Sequence, residues 1–130
     1  MIVVDASVVV TALGDDGPDG DQARLRLRGE RLAAPHLLDL EVVSAWRRLA
    51  AAGNIDERRA TLAMADLKAL RLHRVPHEPM LGRCWELRAN LTVYDAAYVA
   101  LAELLKATLV TADLRLSEAP GSRCEIEVLS

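Results

Sequence analysis

Four acidic residues lie in otherwise apolar stretches of this 130-residue chain, where a charged side chain is costly to bury. Asp5 directly follows "IVV", and Asp113 comes two residues after "LVT" in "LVTADLRL". Glu41 lies within "LLDLEVVSAWRRL", and Asp95 lies within "LTVYDAAYVALAELL". Buried Asp and Glu side chains are rare unless they are paired or bind a metal ion. The four residues together therefore point to a site where carboxylates meet.

Two of these acids are expected at one edge of a sheet. Ile2–Val4 and Thr108–Thr111 have the continuous apolar character of short, buried parallel strands. Ligands of open α/β sheets collect outside the carboxyl ends of parallel strands. Asp5 and Asp113 are therefore expected at that edge, provided that the two strands are neighbours.

The other two acids fall on predicted helices. Glu41 comes three residues after Leu38 and four before Ala45, so it lies on or beside the inward face of its helix. Asp95 lies in the first turn of a helix, four residues after Leu91. Both spacings direct a carboxylate towards the core side of the helix.

Each acid taken alone also has an ordinary structural explanation. Asp5 and Asp113 can cap the helices that follow them, Glu41 can pair with Arg48, and Asp95 can be a helix acid favoured by the dipole. Taken jointly, the acids repel: two charges about 4 Å apart cost roughly 4 kcal/mol at an effective dielectric near 20. Such a cluster must protonate, pair with arginines or bind cations, and an all-oxygen site suits Mg²⁺ or Mn²⁺. Crowding also predicts an acid of raised pKa, with Asp113 as the candidate.

The elements that must position these residues alternate along the chain. Short strands alternate with helices, which predicts a three-layer α/β/α sandwich with a mainly parallel sheet. The length suits a single domain over residues 1–130. The predicted strands cover residues 2–4, 31–34, 74–76, 108–111 and 126–129. The predicted helices cover residues 7–13 with Ser7 as the cap, then 22–27, 37–52, 56–70, 79–90, 93–105 and 114–118, with residues 14–21 as a loop.

Composition argues against several classes of protein. No apolar stretch is long enough to span a bilayer and no signal peptide is recognisable, so the protein is expected to be cytoplasmic. Cys84 and Cys124 are far apart and share no metal-ligand spacing with a histidine, which argues against zinc.

The net charge of −3 and the scarcity of aromatic residues limit how RNA or DNA can be held. Bulk charge alone does not favour nucleic acid, and aromatics at 3% make a base-stacking platform improbable. Trp46 and Trp85 are assigned to packing or to an interface. Arg47, Arg48 and Arg88 lie near the acidic segments and either contact phosphates or belong to solvated helix faces.

Four segments together resemble the PIN domain, and in particular the VapC toxins of bacterial toxin–antitoxin pairs. They are "VVDAS" at 3–7, Glu41 in a mid-chain helix, "LTVYDAAYVALA" at 91–102 and "LVTADLRL" at 109–116. The likeness spans nearly the whole chain, and it implies a central five-stranded parallel sheet in the order 3-2-1-4-5.

The resemblance also implies a function. It implies a metal-dependent endoribonuclease that uses Mg²⁺ or Mn²⁺ and a metal-activated water, usually a homodimer, neutralised by a VapB-type antitoxin. By matching position, the family's acidic residues are Asp5, Glu41, Asp95 and Asp113. Of these, Asp5 and Asp95 are the strongest candidates for direct metal ligands. Ser7 and Thr111 match the hydroxyl residues that accompany the first and last acid.

Three other classes of protein are weighed against this interpretation. A receiver module needs two acids after the first strand and a Lys near the sheet edge, but "DAS" supplies one acid and Lys occurs only at positions 68 and 106. A Mg-dependent phosphohydrolase, or a PIN-domain nuclease that is not a toxin, remains the main alternative. Glu41 inside a helix and the "DAAY" motif favour the nuclease. A non-catalytic binding module is disfavoured by the intact set of four acids.

Overall fold

The computed structural model describes residues 1–130 and contains one five-stranded sheet in which every neighbouring pair is parallel. The strands are β1 (Ile2–Val4), β2 (Leu32–Pro35), β3 (Leu72–Val75), β4 (Thr108–Thr111) and β5 (Ile126–Val128). Their order is β3-β2-β1-β4-β5. The order that the resemblance implied is therefore confirmed.

Strand β1 lies at the centre of the sheet, beside the strand that carries the last acidic motif. Val3 is opposite Ala33 of β2 on one side and Leu109 of β4 on the other. Every residue of β1 is buried. Because successive side chains of a strand point to opposite faces, this burial shows that both faces of the sheet are covered.

Seven α-helices surround the sheet. They are α1 (Ala6–Gly14), α2 (Pro18–Leu27), α3 (Leu37–Ala51), α4 (Glu57–Ala69), α5 (Leu81–Glu86), α6 (Val93–Leu105) and α7 (Leu114–Glu118). Helix α6 packs against β1, β2 and β4, while α1 packs against α2, α3 and α4. None of the helices has both the length and the apolar character needed to cross a membrane.

The N-terminal helices begin earlier than the sequence predicted. Asp5, not Ser7, is the N-cap of α1, since its side chain accepts a hydrogen bond from the Val8 N–H. The predicted loop at 14–21 is wrong in its second half because α2 starts at Pro18. Proline is favoured there because its fixed φ suits the first helical position and its missing N–H has no partner to lose.

Two later elements differ at their ends. The predicted helix from Pro79 to Asn90 is a 3-10 turn at Glu78–Met80 followed by α5, which ends at Glu86. The chain turns afterwards, and the Asn90 side chain donates to the Pro120 carbonyl. Strand β3 covers Leu72–Val75, so it begins two residues before the predicted start at 74. It ends one residue before its predicted end because Pro76 has no N–H to extend the ladder.

Candidate functional site

All four acids line one cavity of about 470 Å³ beyond the carboxyl ends of β1 and β4. Asp5 follows β1 and Asp113 follows β4, while Glu41 projects from α3 and Asp95 from the first turn of α6. The sheet edge and two helices thus bring together residues that are up to 108 positions apart. The remaining lining residues are Ala6, Ser7, Val10, Thr11, Ala45, Arg48 and Tyr98.

Asp5 is the most deeply buried of the acids and is held by three donors. It retains 7% of its exposed area. Oδ1 accepts from the Ser7 hydroxyl at 2.5 Å and from the Val8 N–H at 3.3 Å, and Oδ2 accepts from the Thr111 hydroxyl. The residue therefore caps α1 and also lines the cavity, so the two interpretations of Asp5 hold together.

Ser7 and Thr111 form two parallel relays between Asp5 and the β4–α7 loop. The Ser7 hydroxyl accepts from the Ala112 N–H at 3.0 Å, and the Thr111 hydroxyl accepts from the Asp113 N–H at 3.0 Å. Each hydroxyl accepts a hydrogen bond from a backbone N–H, so it can donate its own hydrogen to a carboxylate oxygen of Asp5. Both carboxylate oxygens are thus fixed by donors, an arrangement that favours the ionised form of Asp5.

Glu41 is held by a tyrosine rather than by an arginine. The Tyr98 hydroxyl donates to Glu41 Oε1 at 2.5 Å, from the helix that carries Asp95. Arg48 does not pair with Glu41, because its Nη1 donates to the Ser44 hydroxyl one turn earlier on α3. The ordinary explanation of Glu41 as the partner of Arg48 is therefore wrong.

Asp95 belongs to the cavity wall and is not the cap of its helix. Thr92 is the N-cap of α6, and its hydroxyl accepts from the Asp95 backbone N–H at 3.1 Å. With the cap supplied by Thr92, the Asp95 carboxylate lines the cavity, half-buried. Its position in the first turn still benefits from the helix dipole.

Asp113 differs from the other three acids because an arginine neutralises it. It caps α7 by accepting from the Arg115 N–H at 3.0 Å, and its two oxygens also accept from the Arg115 guanidinium at 3.2 and 3.1 Å. These bonds lower the pKa of Asp113. The expectation that crowding would raise the pKa of Asp113 is wrong, because the hydrogen bonds and charge of Arg115 lower it.

Burial raises the pKa of each of the other three acids. For Asp5, loss of hydration outweighs the hydrogen bonds from Ser7, Thr111 and Val8, and the charge of Asp95 adds to the rise in pKa. For Glu41, burial again raises the pKa most, followed by the charges of Asp95 and Asp5. The pKa of Asp95 is raised by burial and then by the charge of Asp113. The cavity thus concentrates negative charge that a cation would relieve.

The donor set fits a hard divalent ion with an incomplete protein coordination shell. No three or more His, Cys, Asp or Glu side chains are arranged to hold a metal ion by themselves. Mg²⁺ commonly takes only one or two carboxylates and completes its octahedron with waters and substrate phosphates. Carboxylate oxygens in one cavity, without nitrogen or sulfur ligands, therefore suit Mg²⁺ or Mn²⁺.

Sequence reasoning missed two residues of this site. Tyr98 lies three residues after Asp95, and this spacing places both on one face of α6. The second is Arg115, two residues after Asp113, whose guanidinium donates to that carboxylate. Of the three arginines singled out, Arg48 lines the cavity, and Arg47 is exposed on α3 outside the cavity lining. Arg88 stacks on Trp85, with 4.1 Å from its guanidinium carbon to the ring centre.

An apolar surface adjoins the start of α6. Leu81, Trp85, Val93 and Tyr94 are each exposed and surround a cavity of about 340 Å³. Trp46, in contrast, is buried in the core. The two tryptophans therefore differ in role: Trp46 packs in the core, and Trp85 is exposed and available for an interface.

Comparisons with known proteins agree with this geometry. The sequence matches the PIN domain family over residues 2–122. It is 46% identical to a VapC ribonuclease of Mycobacterium bovis over 129 residues, which cover 99% of this chain and 98% of that protein. The fold is similar to the crystal structure of PAE2754 from Pyrobaculum aerophilum, with a TM-score of 0.71 and 27% identity over 98% of this chain and 83% of that one. It is also similar to VapBC2 from Rickettsia felis, solved bound to a promoter DNA fragment, with a TM-score of 0.70, 16% identity and full coverage of both chains.

Proposed function

Because the chain belongs to the PIN domain family and, within it, to the VapC ribonucleases, we propose that it is a metal-dependent endoribonuclease and the toxin of a type II toxin–antitoxin system. The observation that carries the proposal is the convergence of Asp5, Glu41, Asp95 and Asp113 on one cavity. Phosphodiester hydrolysis needs stabilisation of negative charge at phosphorus, which a cation held by carboxylates provides.

The four acids are proposed to bind Mg²⁺ or Mn²⁺ in two ways. Asp5 and Asp95 are the proposed direct ligands, while Glu41 and Asp113 bind directly or through water. When bound, the ion activates a water for attack and stabilises the charge that develops on the phosphate. Ser7 and Thr111 fix Asp5 in orientation and oppose the rise in its pKa that burial causes. This fixed orientation lowers the reorganisation needed when substrate arrives.

Positive side chains at the cavity support an RNA substrate despite the net negative charge. Arg48 lines the cavity wall and is exposed, so its guanidinium is available to a phosphate. Arg115 is also exposed and sits at the same mouth on Asp113. Arginine is well suited to phosphate because its planar fork of donors matches two oxygens at once.

The acidic cavity also supports the proposed partner. A VapB-type antitoxin with an arginine-bearing segment would find uncompensated carboxylates at Asp5 and Asp95, where a guanidinium competes with metal and RNA. Toxin and antitoxin are proposed to meet in the cytoplasm.

A second copy of the chain is proposed to cover the apolar surface formed by Leu81, Trp85, Val93 and Tyr94, because monomeric proteins rarely expose large contiguous apolar patches.

Controlled expression in bacteria tests the toxin proposal. Induction of the wild-type chain alone is expected to stop growth and to generate RNA with new ends, which sequencing shortly after induction maps. Asp5→Ala is expected to be harmless alone, because it removes a proposed metal ligand. Co-expression of the antitoxin is expected to restore growth of cells that carry the wild-type chain.

The matched control is Asp66→Ala, which removes an exposed acid of α4 outside the cavity. This variant is expected to be as toxic as the wild type. Growth arrest by Asp5→Ala at the same protein level would show that toxicity does not depend on the acidic cavity, and the nuclease proposal would be withdrawn.

A further inference from the structure

We infer that Tyr98 is the positioning residue for Glu41, fixing the carboxylate in the orientation that metal binding requires. The inference rests on the proposed function, since it assigns Tyr98 a part in the same cavity. Tyr98 lies one turn after Asp95 on α6, and its hydroxyl donates to Glu41 Oε1 at 2.5 Å.

The hydroxyl of Tyr98 is not needed to fill the core. The side chain is 1% exposed, so its ring is a full member of the core. A phenylalanine would fill the same space without carrying a polar group into the interior. Burying a hydroxyl is costly unless it is hydrogen-bonded, and Glu41 is the partner that makes this one tolerable.

The Glu41 carboxylate is held by a single contact, unlike those of Asp5 and Asp113. Asp5 is held by two hydroxyls and a backbone N–H, and Asp113 is held by Arg115. The Glu41 carboxylate accepts no hydrogen bond other than the one from Tyr98. It also has the longer side chain, so an unheld Glu41 loses more rotamer freedom when it is ordered.

One oxygen of the Glu41 carboxylate remains available to bind a metal ion or a water. Tyr98 occupies Oε1, and Oε2 has no donor of its own. The donated proton also offsets part of the repulsion that Glu41 experiences from Asp5 and Asp95. Tyr98 therefore keeps the Glu41 carboxylate inside a cavity that its charge alone would resist.

The test is Tyr98→Phe, which removes one oxygen atom and keeps the ring. Residues that orient metal ligands typically contribute about 10- to 100-fold to metal affinity or activity. We expect Mn²⁺ to bind Tyr98→Phe at least about 10-fold more weakly than it binds the wild type. Titration followed by the electron paramagnetic resonance of free Mn²⁺ measures this directly, with no need for RNA. Circular dichroism of the metal-free variant checks that the fold is retained.

Two controls separate positioning from general damage. Thr61→Val removes a hydroxyl that donates to the Glu57 carbonyl on α4, away from the cavity, and is expected to leave Mn²⁺ affinity unchanged. In a Glu41→Ala background, Tyr98→Phe is expected to cause no further loss of affinity, because the group that it positions is gone. A merely structural role would instead lower stability equally in both backgrounds.

The outcomes separate this inference from the proposed function. Wild-type Mn²⁺ affinity in Tyr98→Phe would overturn the positioning role and leave the nuclease proposal standing. An equal loss on a Glu41→Ala background would also overturn it, because Tyr98 would then act without Glu41. Failure of the wild-type protein itself to bind Mn²⁺ would overturn both, and that result is visible before any variant is compared.

Discussion

Replacing Thr111 by valine tests the relay between the β4–α7 loop and Asp5. Thr111 is fully buried, and valine keeps its shape while removing the hydroxyl. That hydroxyl donates to Asp5 Oδ2 and accepts from the Asp113 N–H. The change therefore leaves one carboxylate oxygen and one backbone N–H without their partners.

The expected loss follows from these two contacts. A hydrogen bond to a charged group contributes about 1.5–3 kcal/mol and a neutral one about 0.5–1.5 kcal/mol, while the added methyl group recovers a little by apolar burial. We expect Thr111→Val to lower the free energy of unfolding by about 2–4 kcal/mol. At roughly 3–4 °C per kcal/mol for a domain of this length, the melting temperature falls by about 6–16 °C.

The loss should depend on pH in one direction. The folded-state pKa of Asp5 is raised, so ionisation of Asp5 costs stability as pH rises, and Thr111 limits that cost by donating to the charged form. Without the hydroxyl, the folded pKa rises further. The stability gap between wild type and variant should therefore widen as pH rises through the raised folded pKa of Asp5, and should be smallest at low pH, where Asp5 is protonated in both folded proteins.

Urea unfolding of the metal-free proteins at neutral pH and near pH 4 measures both effects. Thr108→Val is the matched control on the same strand, because its hydroxyl makes only a 3.5 Å contact with Glu125. We expect that control to change stability by less than about 0.5 kcal/mol. Equal losses for the two variants, or a gap that does not change with pH, would refute the reasoning about the relay.

Three further predictions concern the cavity and the surface. Asp113→Ala should cost about 1 kcal/mol through the lost cap, and the loss should disappear as pH falls through the lowered folded pKa of Asp113; a loss that persists in acid would contradict this. Mn²⁺ should raise the melting temperature of the wild type, by the equivalent of about 2.7 kcal/mol at one hundred times the dissociation constant, and should raise it less in Asp5→Asn or Asp95→Asn. Equal shifts in all three proteins would argue against these ligands. Trp85→Glu should convert the proposed dimer to a monomer in light scattering, and an unchanged mass would place the interface elsewhere.

The fold could be predicted from the sequence because its strands and helices each have a local pattern of apolar residues that recurs along the chain. Ile2–Val4 and Leu109–Val110 are apolar on both faces of the sheet, which is typical of a covered parallel strand. The ends of elements were harder to predict when one residue served two purposes. Asp5 looked like a strand-end acid and Ser7 like the cap, because the sequence cannot show which of two nearby polar side chains reaches the free N–H groups.

The sequence was sufficient to identify the four acids of the site, but not the hydrogen-bond partner of each acid. The four acids stand out because carboxylates are conspicuous in apolar segments. Tyr98 is not conspicuous, since a tyrosine in an apolar helix resembles any core residue until its hydroxyl is traced to Glu41. The direction of the pKa shift at Asp113 likewise depends on where Arg115 points, which a list of charges does not contain.

The pairing of β1 with β4 determines when the cavity can exist during synthesis. The Thr111 hydroxyl reaches Asp5 across 106 residues, and Asp113 follows Thr111 in the chain. Chains emerge from the ribosome N-terminus first, so Asp5, Glu41 and Asp95 are free before the strand that completes their site. A partly synthesised chain thus carries most of the acids without the contacts that hold Asp5 in place. The acidic cavity therefore cannot be complete until β4 and Asp113 have been synthesised.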